Sequence, residues 1–289
     1  MGGNGHGPGS WGASGPMREI LVLGGHAFGP RPHDRVVAET LVKMAVRRAA
    51  RSGAARRPGA ARVCLLATAS GDPAEQAADF HTALAEQECE ASDVSLFRLG
   101  RRRIALRDHL LRQDLVYVGG GSMVNLLAIW KAHGVPEILR AAWKRGVVLA
   151  GQSAGGMCWF ERGITRSWGA PASAAGLGFL PGSLCVHYRG EPERRAAYLA
   201  AVGRGMLGGY ALDDHAGLVW QGESMLRALS FRQGARAFRV QVRGGEVVET
   251  PLAARPVRGE LPSLLGEDVA ELRRVRRARA RAGALRPGR

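Results

Sequence analysis

Lysine is almost missing from this chain. Of 41 basic residues only Lys43, Lys131 and Lys144 are lysines. So one-sided a use of arginine, beside abundant alanine and glycine, matches GC-rich codon usage and is no sign of a recognition surface. The net charge of +16 comes without a zinc-finger, helix-turn-helix or aromatic-studded RNA-binding pattern, so no specific nucleic-acid partner is expected. Weak polyanion binding is all that charge alone supports. Cysteine is scarce too: Cys64, Cys89, Cys158 and Cys185 are widely spaced and form no C-x-x-C pair. That excludes a disulfide scaffold and favours reduced thiols in a cytoplasmic protein. No run approaches the roughly 18 uncharged apolar residues of a membrane helix, and no charged segment followed by an apolar stretch marks a secretory signal. No membrane partner is expected. Neither metal-ligand spacing nor a Walker or dinucleotide fingerprint is present, so no metal and no organic cofactor is expected.

The 289 residues suffice for one large domain with a sizeable core. Residues 1–16 are glycine-rich and carry no Asp, Glu, Lys or Arg, which reads as a disordered leader with Met17 as a plausible beginning. Residues 255–289 hold ten arginines against four acids and read as a solvated or partly helical tail. Between them, residues 17–254 alternate short aliphatic runs with amphipathic stretches. Strands are expected at Glu19–Leu23, Arg62–Ala67, Asp93–Phe97, Asp114–Val118 and Val147–Ala150, with helices between them at 34–50, 74–87, 123–131 and 136–145. Such a series predicts an α/β fold, a three-layer sandwich on a mostly parallel central sheet. Later segments, 183–188, 209–213, 218–220, 236–242 and 246–248, suggest a closing set of antiparallel strands. Ligands of such sheets bind beyond the carboxyl ends of the strands, where Gly119–Gly121 and Gly151–Gly155 both fall.

Gly151-Gln-Ser-Ala-Gly155 follows the apolar run Val147–Ala150. A buried strand leading into G-x-S-x-G lifts a serine into a tight turn, the glycines letting strand and helix pass without a Cβ clash. The Ser153 hydroxyl would face solvent, and the Ala154 N–H at a helix start could meet a developing oxyanion. A nucleophile needs a base and an orienting acid. His187 near a strand end is the candidate base, and Asp213 or Asp214, adjacent after a short apolar strand, the candidate acid. A second order, Ser153 then Glu191 or Glu193 then His215, follows the α/β-hydrolases.

Val118-Gly-Gly-Gly-Ser-Met-Val-Asn-Leu-Leu127, Leu149-Ala-Gly-Gln-Ser-Ala-Gly-Gly156, Val186-His-Tyr188 and Ala211-Leu-Asp-Asp214 stand in the order and spacing of the peptidase E (aspartyl dipeptidase) family. That family includes the cyanophycinases, and its fold resembles class I glutamine amidotransferases. The resemblance runs from about Arg18 to Glu249 and implies a serine peptidase acting on short peptides through an acyl-enzyme. Ser153 matches the nucleophile, His187 the general base, and Asp214 the position where the family commonly has Glu. The glycine loop implies a second oxyanion donor at Gly120 or Gly121, partnering Ala154. Ser122 stands where the family often has Asn, and Gln152 replaces a common Trp, so both border the implied substrate pocket. Family enzymes favour an N-terminal aspartate, which Arg189 could pair with in two-point fashion. A homodimer is compatible with all of this. A generic serine esterase, or an inactive relative that only binds small molecules, are the competing readings.

Overall fold

Five short parallel strands, all but the edge strand buried on both faces, form the centre of the molecule. They are β1 (Glu19–Leu23), β2 (Ala61–Leu66), β3 (Cys89–Asp93), β4 (Leu115–Val118) and β5 (Val148–Gln152). In the computed structural model, which describes residues 16–25, 27–29, 31–52, 61–101 and 104–259, they lie parallel in the order β1-β5-β4-β2-β3. The leader up to residue 15 and the tail from residue 260 lie outside the described residues.

Parallel neighbours need crossover connections, and helices supply them. Alternation sends Leu21, Leu23, Val63, Leu65, Tyr117, Val148 and Ala150 to one face, where α1 (Pro32–Arg51) and α2 (Ala74–Leu84) cover them. Ile20, Val22, Cys64, Leu66, Val116, Val118 and Leu149 point to the other. There α4 (Met123–Ala132), α5 (Val135–Lys144) and the single turn α6 (Ala154–Met157) pack, with α3 (Leu106–Leu111) against α5. Prolines at the starts of α1 and α5 sit where a missing N–H costs nothing.

The closing strands divide between two sheets. Strand β10 (Ala216–Gln221) runs antiparallel beside β1, β11 (Ser224–Ser230) antiparallel beside β10, and β14 (Ala254–Pro256) parallel to β11, which completes an eight-stranded sheet. A six-stranded sheet takes β6 (Phe160–Trp168), β7 (Ala170–Ala175), β8 (Leu180–Val186), β9 (Gly209–Leu212), β12 (Ala237–Arg243) and β13 (Glu246–Pro251), in the order β13-β12-β9-β8-β6-β7. Its inner face joins the main core through Phe160, Leu184, Val186 and Leu212. Its outer face buries Cys185, Tyr188, Ala211 and Val240 under Tyr198 and Val202 of α7 (Pro192–Gly203).

The mostly parallel central sheet with later antiparallel strands is as the sequence predicts, but β8 and β9, expected in the antiparallel set, pair in parallel, and the second sheet is more than the sequence predicts. The third strand begins and ends earlier than its apolar run. Val94 N–H still bonds the Leu65 carbonyl, but Leu96–Arg101 coil into a 3-10 helix that tucks Leu96 into the core. The edge strand β3 itself is only half-buried, so no apolar run marks it. Leu149→Ala, in the strand that feeds the elbow, should lower unfolding free energy by about 2–5 kcal/mol. Urea titration should show an earlier midpoint with unchanged slope.

Candidate active site

Strand β5 delivers Ser153 at its carboxyl end. The serine backbone sits at φ 51°, ψ −117°, a region an L-residue occupies only when its surroundings hold it there, at a cost of about 1–3 kcal/mol. The surroundings do so through glycine. A Cβ at Gly151 would lie 2.1 Å from the Gly155 carbonyl oxygen, and one at Gly155 would lie 2.4 Å from that of Val118. The Ser153 N–H donates to the Leu23 carbonyl at 3.0 Å, which fastens the elbow to the end of β1.

His187 does not belong to a strand. Strand β8 stops at Val186, and His187 turns to φ 54°, its carbonyl accepting the Glu191 N–H at 2.8 Å. That turn aims the imidazole along the sheet edge. His187 Nε2 lies 2.9 Å from Ser153 Oγ, and His187 Nδ1 lies 2.5 Å from Asp214 Oδ1. A carboxylate accepting the Nδ1 proton leaves Nε2 as acceptor for the serine hydroxyl. The adjacent Asp213 turns away. Its Oδ2 accepts from Arg189 Nε at 2.8 Å and Nη2 at 2.5 Å, and from the Arg236 N–H at 2.9 Å. Of the two acids, Asp214 is therefore the one at the histidine.

The alternative order is not assembled. Glu191 pairs with Arg194 at 3.1 Å and Glu193 with Arg166 at 3.1 Å, while His215 stacks edge-on against His33.

The loop after β4 supplies a second wall. Gly119 N–H bonds the Leu66 carbonyl and Ser122 N–H that of Ala69, at 3.0 and 2.8 Å. Between them, the N–H groups of Gly120 and Gly121 have no hydrogen-bond partner among the described residues, nor has that of Ala154 at the first position of α6. Gly121 has φ 140°, and a Cβ on it would come 2.3 Å from the Ala69 oxygen; a Cβ on Gly120 would meet Ser153 Cβ at 3.3 Å. The loop therefore reaches Ser153 only as bare backbone.

Ser122 caps α4, its hydroxyl accepting the Asn125 N–H and donating to Ser167 Oγ at 3.1 Å. Gln152 is half-exposed beside Gly120 and its Oε1 has no partner. Arg189 also donates to the Gly234 carbonyl, so its guanidinium is engaged and not open to two-point pairing with a ligand. Cys158 and Cys185 are buried, and burial pushes both thiols well above their ordinary range; neither is a thiolate at neutral pH.

Two contributors escaped the sequence. Ser167, hydrogen-bonded to Thr165 Oγ1 at 2.8 Å, lies on β6, whose residues carry no clear alternation. Gly25 lies two residues beyond β1, and a Cβ there would lie 2.3 Å from Asp214 Oδ1 and 2.5 Å from His187 Cε1. A second glycine after a strand was the available signal.

The sequence profile of peptidase family S51 matches residues 50–228. The chain belongs to that family. It is similar to the uncharacterized peptidase YgaJ of Bacillus subtilis strain 168, at 38% identity over 240 residues, 83% of this chain and 99% of the relative. Among solved structures, it resembles a peptidase from an acI-B1 actinobacterium with TM-score 0.59 and 15% identity, over 83% of this chain and 96% of the other. It also resembles a protein of Listeria monocytogenes EGD-e provisionally assigned as peptidase E, with TM-score 0.50 and 16% identity, over 73% of this chain and 97% of the other. These two likenesses concern the fold. Family membership makes the protein a serine-type peptidase, in agreement with the peptidase E resemblance of its motifs.

Gly25→Ala tests how closely the histidine and acid are held. Displacing them by about an ångström should reduce kcat about 100-fold, with the far-UV circular dichroism spectrum unchanged. Wild-type turnover in that variant would contradict the crowding.

Proposed function

We propose that Ser153, His187 and Asp214 form a catalytic triad that hydrolyses short peptides, with N-terminal Asp-Xaa dipeptides as the first substrates to try. The observation that carries this reading is the unbroken line of contact from the serine hydroxyl through both imidazole nitrogens to one carboxylate, 2.9 Å and then 2.5 Å.

In this mechanism Asp214 holds the imidazole in the tautomer that accepts at Nε2. His187 takes the hydroxyl proton as Ser153 attacks the scissile carbonyl. The N–H groups of Ala154 and of Gly120 or Gly121 bind the oxyanion, each donor contributing about 3 kcal/mol. His187 then passes its proton to the leaving amine. Water then attacks the acyl carbon as it gives a proton to His187, and His187 returns that proton to Ser153 Oγ as the acid product leaves. Ser122 and Gln152 border the entering peptide.

Arg189 keeps a role in substrate binding, in a narrower form than two-point pairing. With Nε and Nη2 committed to Asp213 and Gly234, only Nη1 is left to a substrate carboxylate. The absence of any disulfide among the described residues suits a reducing compartment, and among them no helix is long and apolar enough to cross a membrane. We place the enzyme in the cytoplasm, acting on small peptides.

Labelling of the intact protein by a fluorophosphonate should be complete for wild type and absent for Ser153→Ala; equal labelling of both would remove Ser153 from the role. A protein that only binds small molecules would resist the probe, and an esterase would cleave esters but no peptide. Asp214→Asn should lose about 10³–10⁴-fold in kcat, Asp213→Asn far less. On Asp-Xaa peptides, Arg189→Ala should raise KM more than it lowers kcat, and unchanged kinetics would end the carboxylate reading.

A further inference from the structure

Behind the triad acid, His33, Asp34 and His215 turn one ligand atom each toward a common point, all within 4.8 Å of one another. The first two open α1 and the third follows Asp214. We propose that these three side chains form a binding site for a zinc-class divalent ion, which ties the start of α1 to the turn carrying Asp214.

Charge is the first argument. Asp34 is 4% exposed, and a buried carboxylate costs several kcal/mol unless something compensates it. Its Oδ2 accepts the Arg31 N–H at 3.2 Å, which fixes the rotamer and aims Oδ1 inward. Oδ1 itself has no hydrogen-bond partner, and neither has His33 Nε2. The two stand 3.7 Å apart, too far to satisfy each other. Among the described residues no arginine or lysine pairs with Asp34.

Donor chemistry is the second. Two imidazoles and a carboxylate are a zinc set, with bonds of about 2.0–2.2 Å and a fourth place for water. Bonds of that length separate ligand atoms by about 3.4 Å, so the 3.7 Å pair is already near its bound spacing. The third ligand closes with a shift of about an ångström. His33 keeps 18% of its side chain exposed, which gives the ion a way in.

The site is independent of the triad assignment, and its readout is binding. The full chain, stripped with a chelator and dialysed, is titrated with Zn²⁺ by calorimetry and its Tm followed with and without the ion. The expected result is one equivalent of zinc and a Tm raised by several degrees, about what binding at 100-fold above Kd gives a domain of this size. His33→Ala, at a partly exposed first-turn position, should fold and lose that equivalent. Asp34→Asn, which keeps the bond to Arg31, should weaken binding at least 10-fold. No uptake, as a water-filled pocket would give, overturns the site. So does uptake undiminished in His33→Ala, which would put the ion on other histidines or thiols.

Discussion

Side chains are kept out of the space around Ser153, and the rest of the site depends on that exclusion. Gly151 and Gly155 let β5 and α6 pass at the elbow, Gly120 and Gly121 bring the loop after β4 to Ser153 as bare backbone, and Gly25 leaves room for His187 and Asp214. Five positions at three strands' carboxyl ends thus lack a Cβ; at four of them another atom would lie within 2.4 Å of it, and at Gly120 Ser153 Cβ would crowd it at 3.3 Å. Glycine in such positions costs conformational entropy on folding. The large aliphatic core on both faces of the parallel sheet offsets that cost.

The histidine and the acid meet because of register. Strands β8 and β9 are parallel neighbours paired Val186 to Leu212, so the residues just beyond each end emerge side by side. Helix α7 is the crossover that makes the parallel pairing possible. It also explains how groups 27 residues apart share a hydrogen bond. Residues beyond a strand end are free of the ladder. His187 uses that freedom to turn left-handed, and the tandem acids use it to diverge, Asp213 toward Arg189 and Asp214 toward His187.

Much of this was legible in the sequence, for reasons that also mark its limits. Runs buried on both faces announce themselves, so β1, β2, β4, β5 and helices α1, α2, α4 and α5 could be read within a few residues, while the short α3 was not. The elbow was legible because strain needs glycine at fixed spacing. Which acid meets the histidine was not, since alternation says nothing once a strand has ended. Strands β6 and β7 were invisible for the opposite reason to β1: Ala170–Ala175 offers small, half-exposed side chains with no period. They form by pairing with their neighbours rather than by their own pattern. His33, Asp34 and His215 gave no metal spacing because the third member follows the second by 181 positions along the chain.

The shorter acid is the last point the geometry explains. Where related peptidases commonly carry Glu, this chain has Asp214, one methylene shorter, yet the carboxylate reaches His187 Nδ1 at 2.5 Å. Reach has to come from the backbone. Gly24 and Gly25 allow it: a Cβ on Gly24 would strike the Asp213 carbonyl oxygen at 2.0 Å, so β1's end lies directly against the turn that carries the acid. Gly24 N–H bonds the Ala216 carbonyl and His215 N–H bonds that of Gly25, clasping the turn from both sides. A side chain at either position would push the turn outward. Acid length and glycine pair therefore form one device. Restoring Glu at 214 without enlarging that space would crowd the histidine it is meant to orient.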